Sequence, residues 1–368
     1  IVSAQSQTDI FVNNKLHQNA NVSLMIKEAR SGKTMQSHRA TNVATPASTL
    51  KIVTTATALE MLGPDYRFQT ILETEGNIAA DGTLNGNIYI RGCGDPTLGS
   101  SKIGDAEFLD QWVVAVKSSG IKRINGNIIA DISAYDSEGV NPKWLWEDIG
   151  NYYAAGAYGI SYKDNMCELE LKSGAPGTSP EIVSIKPAVP DLKFTVYLKS
   201  TNIKIDSAYI YGAPGDYNRT IYGEIPANRS SFIVKGDIPQ PETLLVSDFI
   251  QKLRKSGVEI SGNMNETMVA AKRKTIHTHF SPALSEVVKE INLYSNNHYA
   301  EHLFRHLALQ RKTQATTNEA IRTVRSFWAS KGLPVDELIM QDGSGLSPTN
   351  AVSARFLVSL LQYMDKSK

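Results

Sequence analysis

The segment from Ser48 to Leu62 carries apolar or small residues on nearly every face, with Thr49 and the Thr54, Thr55, Thr57 group as its only mild polarity before Glu60. Pro46 stands at its entry and Gly63-Pro64 at its close, the punctuation expected of a helix. A helix that is apolar most of the way round has to be enclosed on most sides. The chain must therefore build layers around this element, and its 368 residues allow two or three domains. With 38 basic against 37 acidic side chains the net charge is +1, which argues against a nucleic-acid binder. No uninterrupted run of about 18 apolar residues occurs, so no membrane-spanning helix is expected.

Ahead of this helix, Val22 to Glu28 and Thr34 to Arg39 read as two strands around the Arg30-Ser31-Gly32-Lys33 turn. The middle of the chain reads as mostly β. A short module recurs there as Leu84-Asn85-Gly86-Asn87-Ile88, Ile124-Asn125-Gly126-Asn127-Ile128 and Ile260-Ser261-Gly262-Asn263-Met264. Its Asn-Gly or Ser-Gly pair is expected to supply a positive φ. Three copies at irregular spacing suggest one sheet whose last strand returns after a long excursion. That excursion, about Cys167 to Pro239, has period-2 runs such as Phe194 to Leu198 and reads as a small nested β domain. From Ser281 onward helices are expected over Leu284 to Ile291, His298 to Leu309, Asn318 to Lys331 and Ser353 to Tyr363. Cys93 and Cys167, the only cysteines, cannot form a disulfide framework or a C-x-x-C site, and whether they pair is left open. At the N-terminus, Val2-Ser3-Ala4 fits the cleavage pattern after a signal-peptide core, and equally an ordinary frayed end.

Two segments can carry chemistry. Ser48 and Lys51 are three apart, so on a helix they share a face. A lysine whose pKa is lowered by burial can take the proton of a serine and make it a nucleophile. Ser119 and Lys122 repeat the spacing, but the pair lies at the end of a helix and has no buried helix to exploit. Ser295-Asn296-Asn297 lies in a turn between two helices, where a hydroxyl and an amide can point into a cleft. The same Ser-x-Asn pattern occurs at Ser200 and Ser261 in strand or turn settings, where a turn or cap explains it. A competitor is His298-Tyr299-Ala300-Glu301-His302, which fits the H-x-x-E-H pattern of some zinc peptidases, with His306 one turn on and Glu319 or Glu337 as a further ligand. A chance stripe on a partly exposed helix is the alternative. No G-x-S-x-G elbow is present.

Taken together, Pro46 to Lys51, Arg91-Gly92-Cys93-Gly94-Asp95-Pro96-Thr97-Leu98, Tyr294 to Asn297 with Tyr299-Ala300-Glu301, and Asp342-Gly343-Ser344-Gly345-Leu346-Ser347 resemble one family. It is the class C low-molecular-mass penicillin-binding proteins, the D-alanyl-D-alanine carboxypeptidases and endopeptidases. The resemblance implies an α/β (α+β) fold: a serine β-lactamase/transpeptidase-like domain with two inserted, nested β-rich domains. Ser48 and Ser295 lie 247 positions apart, room for such an insertion. The catalytic domain is expected over 1–71 and 280–368, the inserted domain over 72–166 and 240–279, and the nested one over 167–239.

The resemblance also implies roles. Ser48 would form an acyl-enzyme with Lys51 as base, while Ser295 and Asn297 complete the proton path and position the substrate. Asp131 would reach into the cleft from the inserted domain. The partners implied are peptidoglycan stem peptides, with β-lactams as covalent ligands, no cofactor or metal, and a periplasmic or otherwise exported location. The sequence departs from the family at Asn296, where many members have Asp, and in having no Lys-Thr-Gly after Ser295. Arg311-Lys312-Thr313-Gln314 holds a Lys-Thr on or after a helix, and Lys33-Thr34 one near the start. The expectation is that this third motif lies beyond Lys368. A non-catalytic peptidoglycan-binding protein and a zinc peptidase using His298, Glu301 and His302 are the competing readings.

Overall fold

The computed structural model describes residues 7–262 and 272–367. Val2-Ser3-Ala4 and the end of the third turn module, Asn263-Met264, lie outside the described residues. Among those described, the helices are α1 (Gln7–Val12), α2 (Lys51–Leu62), α3 (Phe108–Ser118), α4 (Pro241–Lys255), α5 (Leu284–Tyr294), α6 (Asn297–His306), α7 (Thr317–Ser330) and α8 (Ala354–Met364).

The enclosure demanded by the sequence of α2 is met by α5, α6, α7 and α8, which pack around it over Val53, Ala56 and Ala58. Its buried threonines are all satisfied. Thr54 donates to Gly343 O, Thr55 to Lys51 O and Thr57 to Val53 O, and Trp328 Nε1 donates to the Thr57 hydroxyl. The α-helix starts at Lys51. Ser48 stands before it in a tighter 3₁₀ turn, Ala47–Leu50, and Gly63 at φ 85° ends the helix. Two small sheets complete this part: the hairpin Leu24–Lys27 with Thr34–His38, and Leu338–Ile339, Ala351–Ser353 and Val43–Ala44.

Between α2 and α5 the chain is mainly sheet. Lys274–Phe280, Gln69–Thr74, Ile88–Gly92 and Ile128–Asp131 form one mixed sheet. The boundary expected at 71/72 cuts the second of these strands, which pairs along its whole length. The excursion consists of two three-stranded sheets, Glu181–Lys186, Met166–Lys172 and Phe232–Asp237, then Lys193–Thr201, Asn218–Pro226 and Tyr209–Tyr211. One apolar core runs from Leu72 and Trp112 through Leu169, Leu198 and Ile221 to Phe249, so the nested segment shares its core with its host. Two helices, α3 and α4, cover this core. The reading of the middle as mostly β passed over α4, although Pro241 at its first turn and buried Leu245, Phe249 and Leu253 mark it. Cys93 and Cys167 are both free thiols. No helix of the described residues is long and apolar enough to cross a membrane.

The three turn modules come together as expected of a returning strand. Glu259–Ile260 pairs in parallel with Arg123–Asn125, which pairs in parallel with Thr83–Asn85. Their polar side chains bond from copy to copy: Asn125 Nδ2 to Asn85 Oδ1 at 3.2 Å, Asn127 N to Asn87 Oδ1 at 2.9 Å and Ser261 Oγ to Asn125 Oδ1 at 3.2 Å. The reason for glycine differs from the one expected. Of the three, Gly86 alone has a positive φ. The others are required by close approach: a Cβ on Gly126 would sit 2.1 Å from Gly86 O, and one on Gly262 would sit 2.0 Å from Gly126 O. Gly126→Ala should therefore cost on the order of 1–3 kcal/mol, read as a lower urea midpoint at unchanged slope. An unchanged midpoint would show that the stack has slack.

Candidate active site

The 3₁₀ turn leaves Ser48 exposed at the mouth of a cavity of about 540 Å³, lined also by Lys51, Ile52, Asn292, Ser295 and Leu361. Lys51, one turn on, is 2% exposed. Its Nζ lies 3.1 Å from Ser48 Oγ, 2.6 Å from Asn297 Oδ1 and 2.8 Å from Ser344 O. Burial brings the Lys51 pKa down to about 8, against the opposing pull of the Glu301 and Asp342 carboxylates. Ser48 and Asn297, 249 residues apart in the chain, thus meet at one Lys51 amine.

Asn297 opens α6, and its amide orientation is fixed by its second contact. Nδ2 donates to Tyr153 O at 2.8 Å, which leaves Oδ1 for Lys51. Asn296 is the N-cap of α6 and accepts from Tyr299 N at 3.1 Å, a structural duty that Asp would perform as well. Ser295 sits between the two helices in the left-handed region at φ 56°, a strained conformation for a residue with a Cβ. It lines both the Ser48 cavity and a second cavity of about 280 Å³, bounded by Tyr152, Tyr153, Asn297 and Lys102. Its hydroxyl makes no hydrogen bond among the described residues.

The segment Asp342 to Ser347, seen in the sequence as a shared motif without a role, is the floor of the site. Glu301 Oε1 accepts from Gly343 N at 3.0 Å and Ser344 N at 2.6 Å, while Thr54 holds Gly343 O. Asp342 accepts from Gly345 N, Ser347 N, Asn350 Nδ2 and Trp144 Nε1. The loop is thereby fixed with Ser344 O facing Lys51. Gly345, at φ 83°, permits this: a Cβ there would lie 1.9 Å from Ala47 O. Burial, reinforced by Asp342, raises the Glu301 carboxyl well above the usual range. Sequence reasoning missed Ser344 and Tyr153 because each contributes a backbone carbonyl, which leaves no side-chain signature.

Asp131 is not brought to this cluster. Its carboxylate is held by Arg273 at 2.5 Å and by the Ser133 hydroxyl, Arg273 stacks on Tyr89 at 3.7 Å, and Asp131 lines neither cavity beside Ser48. The Ser119/Lys122 pair and Ser200 stay apart from it too, at the C-cap of α3 and within a strand.

The histidine stripe lies on a buried helix, not a partly exposed one. His298 meets the Ser161 hydroxyl, His302 meets Gly94 O and His306 meets Cys93 O and the Tyr66 hydroxyl, while Glu301 turns to the 343–344 amides. The His298 and His302 rings touch edge to face at 4.5 Å, but Glu301 turns away from them, and among the described residues no group of three or more His, Cys, Asp or Glu could hold a metal. Burial depresses the pKa of His302 to about 3 and of His306 to about 4. An unfolded histidine titrates near 6.5, so below that pH the unfolded chain binds more protons and stability falls. The melting temperature should drop as pH is lowered from about 6.5 towards 4, less steeply in His306→Gln, and chelators should leave it unchanged. Equal slopes in the two proteins would remove His306 from the linkage.

Comparison with known proteins gives the chain its family and a known fold. The model of the D-Ala-D-Ala carboxypeptidase 3 (S13) family matches residues 5–368. The chain is 28% identical over 337 residues to the D-alanyl-D-alanine carboxypeptidase of Actinomadura sp. (strain R39), covering 86% of this chain and 59% of that protein. It is 26% identical over 360 residues to D-alanyl-D-alanine carboxypeptidase DacB of Haemophilus influenzae, covering 96% and 73%. It therefore spans between 59% and 73% of the length of these relatives. The crystal structure of penicillin-binding protein 4 from Haemophilus influenzae superposes with a TM-score of 0.81 at 23% identity, covering 93% of this chain and 74% of that one. That likeness is one of fold, a β-lactamase/transpeptidase-like fold with additional domains. The chain belongs to the S13 family.

Proposed function

We propose that this S13-family chain carries the nucleophile and base of a serine peptidase that hydrolyses D-alanyl-D-alanine bonds, or the related cross-link bonds, of peptidoglycan stem peptides. The observation that carries the reading is the donor count around Lys51. A neutral amine has two N–H groups and one lone pair. Asn297 Oδ1, oriented by Tyr153, and the Ser344 carbonyl can only accept, so they take the two N–H groups. The lone pair is left for the third neighbour, Ser48 Oγ at 3.1 Å.

Ser48 O–H then gives its proton to Lys51 Nζ as Oγ bonds to the carbonyl carbon of the penultimate D-alanine. The tetrahedral intermediate collapses, the C–N bond breaks, and the leaving amine takes a proton that Ser295, between the two cavities, is placed to relay. Water then attacks the acyl carbon and restores Ser48. No cofactor enters this scheme. β-Lactams would acylate the same oxygen and deacylate slowly. A chain of this activity works where its polymer is, in the periplasm or otherwise outside the cytoplasm.

The test is exposure to a labelled penicillin followed by peptide mapping. The adduct is expected on Ser48, absent in Ser48→Ala and formed on the order of 10²–10⁴ times more slowly in Lys51→Ala. Because the active form of Lys51 is the neutral one, the acylation rate should rise with pH until about 8 and then level off. Label on another residue would overturn the reading, and a protein that never acylates would favour non-catalytic peptidoglycan binding.

A further inference from the structure

Three tyrosines stand in a row on the outer face of the sheet formed by Lys193–Thr201, Asn218–Pro226 and Tyr209–Tyr211. Tyr197 is paired with Tyr222 and Tyr222 with Tyr209, one from each strand. Tyr197 and Tyr222 stack at 4.9 Å, Tyr211 meets Tyr222 edge-on at 5.8 Å, and Trp146 continues the row at 6.4 Å from Tyr211. Tyr197, Tyr222 and Tyr209 are 55%, 48% and 43% exposed and Trp146 59%. The alternating residues beneath, Leu198, Ile210 and Ile221, are fully buried, so the sheet already has its core on the other side. An aromatic patch of this extent facing water marks a surface that is covered in use.

Its surroundings indicate what covers it. On the same face the rings are bordered by Thr195, Thr220, Asn218, Lys199 and Glu224, hydroxyl, amide, ammonium and carboxylate groups, with no aliphatic knob among them. A pyranose ring has that complementary character: a flat C–H face that packs on an aromatic ring, and hydroxyl and acetamido groups at its rim. The patch is also continuous with the catalytic cleft. The Asn151 side chain clamps the backbone of Ile210 from both sides, Nδ2 to Ile210 O at 3.2 Å and Ile210 N to Oδ1 at 3.0 Å, between Tyr209 and Tyr211. The next two residues, Tyr152 and Tyr153, line the cavity shared with Ser295 and Asn297. Tyr209 lies near enough to the Tyr153 hydroxyl to oppose its ionisation.

We propose that this tyrosine face is a docking surface for an amino-sugar glycan strand, the polymer whose stem peptides would reach Ser48 through the adjoining cleft. The inference rests on the peptidoglycan reading above for the choice of polymer. It is tested with the whole protein by co-sedimentation with peptidoglycan stripped enzymatically of its stem peptides, in competition with soluble N-acetylglucosamine oligomers. The double variant Tyr197→Ser, Tyr222→Ser should lose on the order of tenfold in retention, with Ser48 acylation by labelled penicillin unchanged as the check on folding. Retention of the double variant equal to that of the parent, or no retention of the parent, would overturn the proposal. Glycan retention by a protein that fails to acylate would sink the catalytic reading and leave this one standing.

Discussion

The site depends on one desolvated amine. Lys51 has lost its water to α2 and the helices around it, and what replaces that water is two acceptors and one hydroxyl. Desolvation alone would lower its pKa further, making it a weaker base. The carboxylates of Glu301 and Asp342 hold it near 8, where it is still basic enough to deprotonate an alcohol. Each is kept buried by backbone N–H donors, so the field at Lys51 is fixed by the fold.

The acceptors come from places remote in the chain. Ser344 is presented by a loop that Glu301 and Trp144 hold, and Asn297 is oriented by Tyr153. Trp144 and Tyr153 both belong to the long insertion. The insertion is thus part of what positions Lys51 and more than an appendage beside it.

The sequence made Ser48 and Lys51 visible because an i, i+3 pair at the head of an apolar helix is a local pattern. Ser295 and Asn297 needed the resemblance, since Ser-x-Asn recurs elsewhere as ordinary turn chemistry. The turn modules announced that distant strands would meet, but backbone handedness, the reason expected for all three glycines, holds for Gly86 alone, and interstrand contact is what demands Gly126 and Gly262. Asp131 was carried to the cleft by analogy, and the strand that bears it delivers it to Arg273. The unread parts are those in which a carbonyl, or a side chain hundreds of residues away, does the work.

α6 is buried along nine of its ten residues. One side faces α2 and the Asp342 loop; the other is capped by Cys93, Gly94 and Ser161 of the insertion through His306, His302 and His298. The helix is in effect an axle common to both halves of the molecule. A pared-down chain made by deleting residues 72–279 would strip His298 and His302 of the only partners their ring nitrogens have among the described residues and leave His306 with Tyr66 alone, and would bare the apolar face between them. Any route from a compact ancestor to this architecture, or back, has to rewrite that helix together with the segment it gains or loses.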